Sequence, residues 1–276
     1  MGKRIKQIEK TISLGIENMY RIDVPENMGF KVAKLHSVGK RQEQQDAFGV
    51  SDLDPDIVKQ KGFFAIVADG MGGLTSGEKA SMATVISALN YFDTHECTSI
   101  PDGLLDMVEV ANEQVKEIVG ITKGQSGSTM IGVLIKGEEL FFVSVGDSRI
   151  LLIHDEELRQ LNCEHNYEMD LMKRVESGEM TIEEVKGNPQ RHALTSYIGI
   201  PVLQKIDQNI DGVEIFPEDR ILMMTDGVYN TLSEEEILSA MDYAPEKAMM
   251  NLEMQIRSKN KENQDNYTAL LIEIQE

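Results

Sequence analysis

The sequence is poor in cysteine: among 276 residues only Cys97 and Cys163 carry thiols, and no CxxC spacing joins them. Neither a disulfide framework nor a structural zinc site can be built from such a pair, so a reducing cytoplasm is the expected location. An apolar run of the roughly 18 residues that a membrane-crossing helix needs is also missing. The opening stretch MGKRIKQIEKTISLGIENMY interleaves Lys, Glu and Asn where the apolar core of an export signal would lie. The expectation is a soluble protein without a membrane partner. Positive charge is scarce too, with 27 Lys+Arg against 47 Asp+Glu and a formal net charge of −20. Such a surface is repelled by phosphate backbones and anionic lipids, which excludes nucleic acid as a partner, whereas divalent cations are attracted.

At 41% hydrophobic and 27% charged, the composition is that of a folded protein rather than a disordered acidic tail. The length suits one large domain or two small ones. No Pro/Ser-rich linker, low-complexity run or repeat marks a boundary, so residues 29–276 read as one domain, expected to be a monomer. Residues 1–28 read as an extension in which Ile5, Ile8, Ile12 and Ile16 have the spacing of one amphipathic helix.

Alternating and continuous apolar runs predict strands at Phe30 to Ser37, Ala47 to Ser51, Phe63 to Ala68, Thr129 to Ile135, Leu140 to Val145, Ile150 to His154, Val213 to Phe216, Ile221 to Thr225 and Tyr267 to Ile274. KGEE at 136–139 has the character of a hairpin turn. Helices are predicted at about 76–92 and 102–119. The second carries an apolar stripe of Leu104, Val108, Ala111, Val115 and Val119 that marks core positions. A third, at about 233–242, opens with Ser233 as N-cap and Glu236 completing a capping box. Strands meeting in direct hairpins argue for antiparallel sheets covered by paired helices, hence a layered α+β fold.

Asp69 follows the apolar run FFAIVA and opens a glycine-rich turn leading into a helix. Alone it reads as an Asx-turn residue. Asp226, however, repeats the pattern after RILMMT and again precedes Gly and a helix. Asp265 stands just before the last apolar strand, and Asp46 abuts a short one. Strand ends cluster at one edge of a sandwich, so these four carboxylates can meet, and their repulsion then calls for cations. Carboxylates, with the carbonyl of Gly70 free to approach, are hard oxygen ligands suited to Mg²⁺ or Mn²⁺. Two such ions roughly 3.5 to 4 Å apart can activate a water toward a phosphate ester. Arg41, shortly before Asp46, offers a bidentate fork for the phosphate oxygens.

Other motifs carry less. DLDPD at 52–56 begins like a calcium loop but fails at Ile57 and Phe63, and reads as a solvated acidic loop. The turn after Asp69 lacks the GK[ST] ending of a P-loop, and no GxGxxG stands anywhere, which disfavours a nucleotide-binding module. Asp147 and Ser148 in VGDSR read as a tight turn between strands. His36, His95, His154, His165 and His192 form no ligand spacing and read as surface or core residues.

The stretches SVGKRQEQQDAF, FFAIVADGMGG, SGSTMIGVLI, LFFVSVGDSRILLI, SGEMTIEEVKGNPQRHALTSYIGI, LMMTDGVYNTLSEEEI and DNYTALLIEI occur in that order and cover about residues 30–275. In them the chain resembles the metal-dependent PPM-type serine/threonine phosphatases, the protein phosphatase 2C family, and especially its compact bacterial members. The resemblance implies a four-layer αββα sandwich and a binuclear Mn²⁺/Mg²⁺ centre. By it, Asp69 bridges both metals, the Gly70 carbonyl binds one, and Asp226 and Asp265 bind the other. Asp46 accepts from metal-bound water, and Arg41 binds phosphate. The implied activity is hydrolysis of phosphoserine or phosphothreonine on a cytoplasmic protein by a two-metal-activated water, without a phosphoenzyme. The implied partners are phosphoproteins, including a Ser/Thr kinase or its targets.

Departures from the family pattern are equally specific. Gln45 replaces the usual Glu, which exchanges a carboxylate that orders metal-bound water for an amide. Gln125 or Ser126 stands where bacterial members often place an Asp for a third metal. Met71 replaces the eukaryotic general-acid histidine, and one residue fewer separates Gly39 from Arg41. Region 164–200 resembles the family's flap, with a helix start at Thr181. The losses at Gln45 and Gln125 motivate the alternative of a non-catalytic phosphatase-like protein that binds phosphorylated partners.

Overall fold

The structure, a computed structural model, describes residues 19–22, 29–72, 76–122 and 126–275. Its strands are β1 Met19–Ile22, β2 Gly29–Ser37, β3 Asp46–Val50, β4 Phe63–Met71, β5 Gly127–Ser128, β6 Met130–Lys136, β7 Glu139–Val145, β8 Arg149–His154, β9 Glu157–Gln160, β10 Asp207–Gln208, β11 Val213–Glu214, β12 Arg220–Met224 and β13 Tyr267–Gln275. Its helices are α1 Pro55–Lys61, α2 Ser76–Thr94, α3 Ile100–Thr122, α4 Tyr167–Glu176, α5 Ile182–Gly187, α6 Asp226–Tyr229, α7 Glu234–Ala240 and α8 Pro245–Ser258.

The run FFAIVA in β4 offers no polar side chain to water, so both faces of the strand must be covered. Alternation does this: Phe63, Ala65 and Val67 join one core, while Phe64, Ile66 and Ala68 join another. The first lies between two sheets. One sheet has the order β1-β2-β13-β12-β8-β9, and the other β10-β7-β6-β4-β3, with β11 on β7 and β5 on β4. Phe30, Val32, Ile150, Leu152, Ile221, Met223, Leu270 and Ile272 meet β4 and β6 across the gap. On the outer face of the second sheet, Val85 and Leu89 of α2 and Leu104, Val108, Ala111 and Val115 of α3 pack on Phe64 and Ile66. The other outer face is covered by Ile237 and Ala240 of α7 and Ala248, Leu252 and Ile256 of α8, against Leu151, Leu222 and Leu271. The result is the expected four-layer αββα sandwich of antiparallel sheets.

Several elements differ from the sequence reading. Within the extension read at residues 1–28, Met19–Ile22 forms a strand paired with β2, Met19 opposite Ala33; the helical spacing of Ile5, Ile8, Ile12 and Ile16 lies outside the described residues. The acidic DLDPD stretch is not all loop, because Asp54 accepts from the Asp56 amide at 2.9 Å as N-cap and Pro55 starts α1. The predicted strand Val213 to Phe216 stops at Glu214, since the Phe216 amide is taken by Asp219 Oδ2 at 2.9 Å and the chain turns. Helix α8 was overlooked although Ala248, Met249, Leu252 and Ile256 give it a buried stripe.

One buried carboxylate makes the fold sensitive to pH. Asp219 is 2% exposed and its Oδ1 lies 2.5 Å from His154 Nδ1. The hydrogen bond and charge of Asp219, with Asp155 and Glu157 nearby, raise the pKa of His154 above the ordinary 6.5. A raised histidine contributes stability that is complete below 6.5 and disappears as pH rises through the folded value. Melting temperatures of the protein and of His154→Gln are therefore expected to differ at pH 6 and to converge at alkaline pH; a constant difference would remove the pair from the account.

Candidate functional site

The antiparallel register of β3 and β4 sets Asp46 opposite Asp69. In the other sheet β12 ends at Met224, Asp226 begins α6, and Asp265 stands two residues before the start of β13, the neighbour of β12. Carboxylates from both sheets thus come to one edge of the sandwich, where the charge of Asp265 raises the proton affinity of Asp46, Asp69 and Asp226. Burial, opposed by hydroxyl hydrogen bonds from Thr268 and Thr225 but reinforced by Asp226 and Asp265, pushes Asp46 up to about 7. Burial, then the charges of Asp46, Asp226, Asp147 and Asp265, pushes Asp69 well above the carboxylate range. Asp226 is raised by burial and Asp265, against a hydrogen bond with Asp69 and the charge of Arg41.

The chain holds this cluster by its backbone. Asp69 exchanges bonds with Thr129, its amide donating to Thr129 Oγ1 at 2.9 Å and its carbonyl accepting from the Thr129 amide at 2.8 Å. Ser128 Oγ adds a bond to the same carbonyl at 3.0 Å. At Gly70 a Cβ would fall 2.1 Å from the Gly77 carbonyl oxygen and 2.6 Å from that of Gln45, so only glycine permits this approach. At Gly39 the backbone has φ +61° and a Cβ would fall 2.1 Å from the Asp265 carbonyl oxygen. This turn delivers Arg41, whose Nη2 donates to Asp265 Oδ2 at 2.7 Å, so the shortened spacing still reaches the site.

Asp46 Oδ2 accepts from Thr225 Oγ1 at 2.9 Å and from Thr268 Oγ1 at 2.7 Å. Its Oδ1 is buried and has no partner. A buried carboxylate oxygen without a donor, amid other carboxylates, lacks compensation from the protein itself. The missing partner fits a hard divalent cation or a water ordered by one, and the donor set is all oxygen. Among the described residues, no three His, Cys, Asp or Glu side chains converge tightly enough to enclose an ion. Two of the carboxylates have partners within the protein: Arg41 Nη2 donates to Asp265 Oδ2, and Asn230 Nδ2 lies 3.1 Å from Asp226 Oδ2.

Gln45 turns its amide toward the glycine loop, with Nε2 3.5 Å from the Gly72 carbonyl, while its own carbonyl accepts from the Gly70 amide and from Ser81 Oγ. Ser126 Oγ caps the Met71 carbonyl at 2.9 Å; Gln125 lies outside the described residues. The segment that resembles a flap contains α4 and α5, the latter beginning at the expected helix start, where Thr181 and Glu184 form a capping box. Its Ile198 exchanges two backbone bonds with Ser128, which ties the segment to the residues clamping Asp69.

The sequence reading missed three residues of the site. Thr225 and Thr268 carry no signal of their own, because their roles depend on β12 and β13 lying side by side. Asp147 does sit in a turn, as read, yet its carboxyl is pushed up to about 7 by burial and by the charges of Asp226 and Glu164. Below it, the Tyr229 hydroxyl donates to the Asp147 carbonyl at 3.0 Å, and the Arg149 guanidinium lies 3.8 Å from the centre of the Tyr229 ring.

Comparison with known proteins gives matches along nearly the whole chain. The family model described as Protein phosphatase 2C matches residues 36–260. A putative protein phosphatase 2C-type of Streptococcus pyogenes is 29% identical over 252 residues, covering 88% of this chain and 96% of that protein. The serine/threonine phosphatase of S. agalactiae superposes with a TM-score of 0.77 at 24% identity, covering 89% of this chain and 100% of the other. The catalytic domain of the serine/threonine protein phosphatase PstP, solved in complex with two manganese ions, gives a TM-score of 0.70 at 24% identity over 90% of this chain and 99% of its own. No helix among the described residues is long and apolar enough to cross a membrane.

Proposed function

Because the chain belongs to the protein phosphatase 2C family and is a serine/threonine phosphatase, we propose that it hydrolyses phosphoserine and phosphothreonine on proteins at the cluster of Asp46, Asp69, Asp226 and Asp265. The observation that carries this reading is the buried, unpartnered Oδ1 of Asp46 within a set of mutually repelling carboxylates. Two bound Mn²⁺ or Mg²⁺ ions would supply charge compensation and an activated water for attack on phosphorus.

The residues divide the remaining work. Asp69, with the Gly70 carbonyl, and Asp226 and Asp265 would hold the cations. Asp46, its Oδ2 fixed by two hydroxyls, presents Oδ1 to accept a hydrogen bond from the nucleophilic water. Arg41 has 55% of its side chain exposed, and its fork, now on Asp265, suits two oxygens of a phosphate. Gln45 supplies no carboxylate, and Met71 supplies no acid to the leaving group, so protonation of the departing serine or threonine oxygen falls to water. The substrate is a phosphoprotein, with a Ser/Thr kinase or its targets as the matching partner, in the cytoplasm, and the enzyme acts as a monomer. The cations and Arg41 form a positive spot in a surface of net charge −20, which admits a dianionic ester locally.

Hydrolysis of a small aryl phosphate by chelator-stripped protein tests the reading directly. Turnover is expected to appear on adding Mn²⁺ or Mg²⁺; a preparation that binds manganese and stays inactive with both the aryl phosphate and phosphopeptides removes it.

A further inference from the structure

We propose that His36 is a positioning residue for Asp46, acting through Thr268 to keep Oδ2 fully occupied and Oδ1 turned to the cation site. The proposal rests on the reading of the aspartate cluster as a metal centre. In the register of β2 and β13, His36 lies opposite Thr268, and its Nδ1 is 2.9 Å from Thr268 Oγ1. A threonine hydroxyl has one proton, and toward the Asp46 carboxylate, ionised when a cation is bound beside it, Thr268 donates it to Oδ2 at 2.7 Å. The hydrogen between His36 and Thr268 must therefore come from the ring, which assigns the tautomer with the proton on Nδ1.

The second hydroxyl is constrained in the same sense. Thr225 Oγ1 accepts from the Thr268 amide at 3.0 Å and donates to Asp46 Oδ2 at 2.9 Å. Each hydroxyl is thus held by a donor on one side, His36 Nδ1 or the Thr268 amide, and delivers its proton to the same carboxylate oxygen. Without the histidine donor, Thr268 Oγ1 loses the bond that fixes its rotation, and its proton is no longer committed to Oδ2.

The ring is seated for this task. It meets Phe48 edge to face at 5.2 Å between centres, while Lys34 Nζ lies 5.1 Å from the centre of the same Phe48 ring. Burial of the imidazole and the charge of Lys34 lower its pKa to about 4, which leaves it neutral with one proton to place. Gln44, held by its Oε1 on the Asp46 amide at 3.1 Å, turns the donor Nε2 toward Nδ1 at 3.4 Å; that contact would serve an unprotonated Nδ1 and competes with the 2.9 Å Thr268 bond from the longer distance. The residue as a whole is exposed, with the ring covered on the side of Phe48 and Lys34, so a substitution opens no core cavity.

The experiment compares His36→Phe, which keeps a ring and loses the donor, with His36→Asn, whose side-chain amide nitrogen takes the place of Nδ1. Manganese binding to chelator-stripped protein is measured by calorimetry, the unfolding midpoint is measured in EDTA, and ¹⁵N shifts report the His36 tautomer in the wild type. His36→Phe is expected to weaken manganese binding about tenfold, and His36→Asn to stay within about twofold of the wild type, as for residues that orient a ligand rather than bind the ion. Unfolding midpoints in EDTA should be close among all three. Unchanged binding in His36→Phe, equal loss in both variants, or a wild-type ring protonated on Nε2 alone would each overturn the proposal. A wild type that binds no manganese would overturn the metal-centre reading itself, and the proposal with it.

Discussion

Asp226→Asn is expected to reduce metal-dependent turnover about a thousandfold, the scale of losing a group that compensates charge in the transition state, and at the same time to raise the melting temperature of the protein in EDTA. The two effects have one cause. Asp226 is raised by burial and by Asp265, so at neutral pH its charge works against the folded state when no cation is bound. An amide of the same shape removes that repulsion together with the ligand. The sign can be followed with pH. Asp46 moves from an ordinary 3.8 to about 7, and a carboxyl raised on folding contributes stability that is full below 3.8 and is lost as pH rises through 7. Chelated protein should therefore lose stability across this window, and saturating Mn²⁺ should restore it by binding the folded state. A variant that retains wild-type turnover would remove Asp226 from the centre; one that melts lower in EDTA would contradict the electrostatic account.

Phe63→Ala is expected to cost about 4 kcal/mol of stability, because it removes a large side chain from a place that cannot collapse around the loss. Phe63 has no exposed surface, lies between the two sheets, and stacks on Phe30 with 5.5 Å between ring centres. Such a cost is a large share of the roughly 5–15 kcal/mol that stabilises a typical domain. Urea unfolding checks it against Ile210→Ala, a residue 74% exposed, for which the change should stay within about 0.5 kcal/mol. Equal effects at the two positions would mean that the inter-sheet core is not the source of stability.

The central strands of the sandwich were legible because each is covered on both sides and therefore carries a continuous apolar run, FFAIVA in β4 and ALLI in β13. Elements that depend on pairing rather than on burial were not. β10 is two residues long and exists because β7 offers an edge to it, and the strand predicted at Val213 to Phe216 is limited by the same edge to the two residues of β11. The carboxylates of the site were legible for a related reason, since Asp69 and Asp226 each interrupt an apolar run at the point where it reaches the rim. What could not be read is how they are held. The Thr225 and Thr268 hydroxyls meet Asp46 only because strands more than 170 positions away in the chain cross to it, at sequence separations of 179 and 222. Asp147 was read as turn chemistry, which it is, but its proximity to Asp226 comes from the packing of Tyr229 beneath it.

The division of the aspartates between the sheets also bears on motion. Asp46 and Asp69 belong to β3 and β4, whereas Asp226 and Asp265 flank β12 and β13 of the opposing layer. On the proposed reading, an ion shared by the two pairs would act as a rivet across the seam, resisting slippage of one layer over the other at that rim. Its removal should speed amide hydrogen exchange at the ends of β4 and β12 that face the rivet, while the far ends, closed by packed side chains alone, exchange as slowly as before.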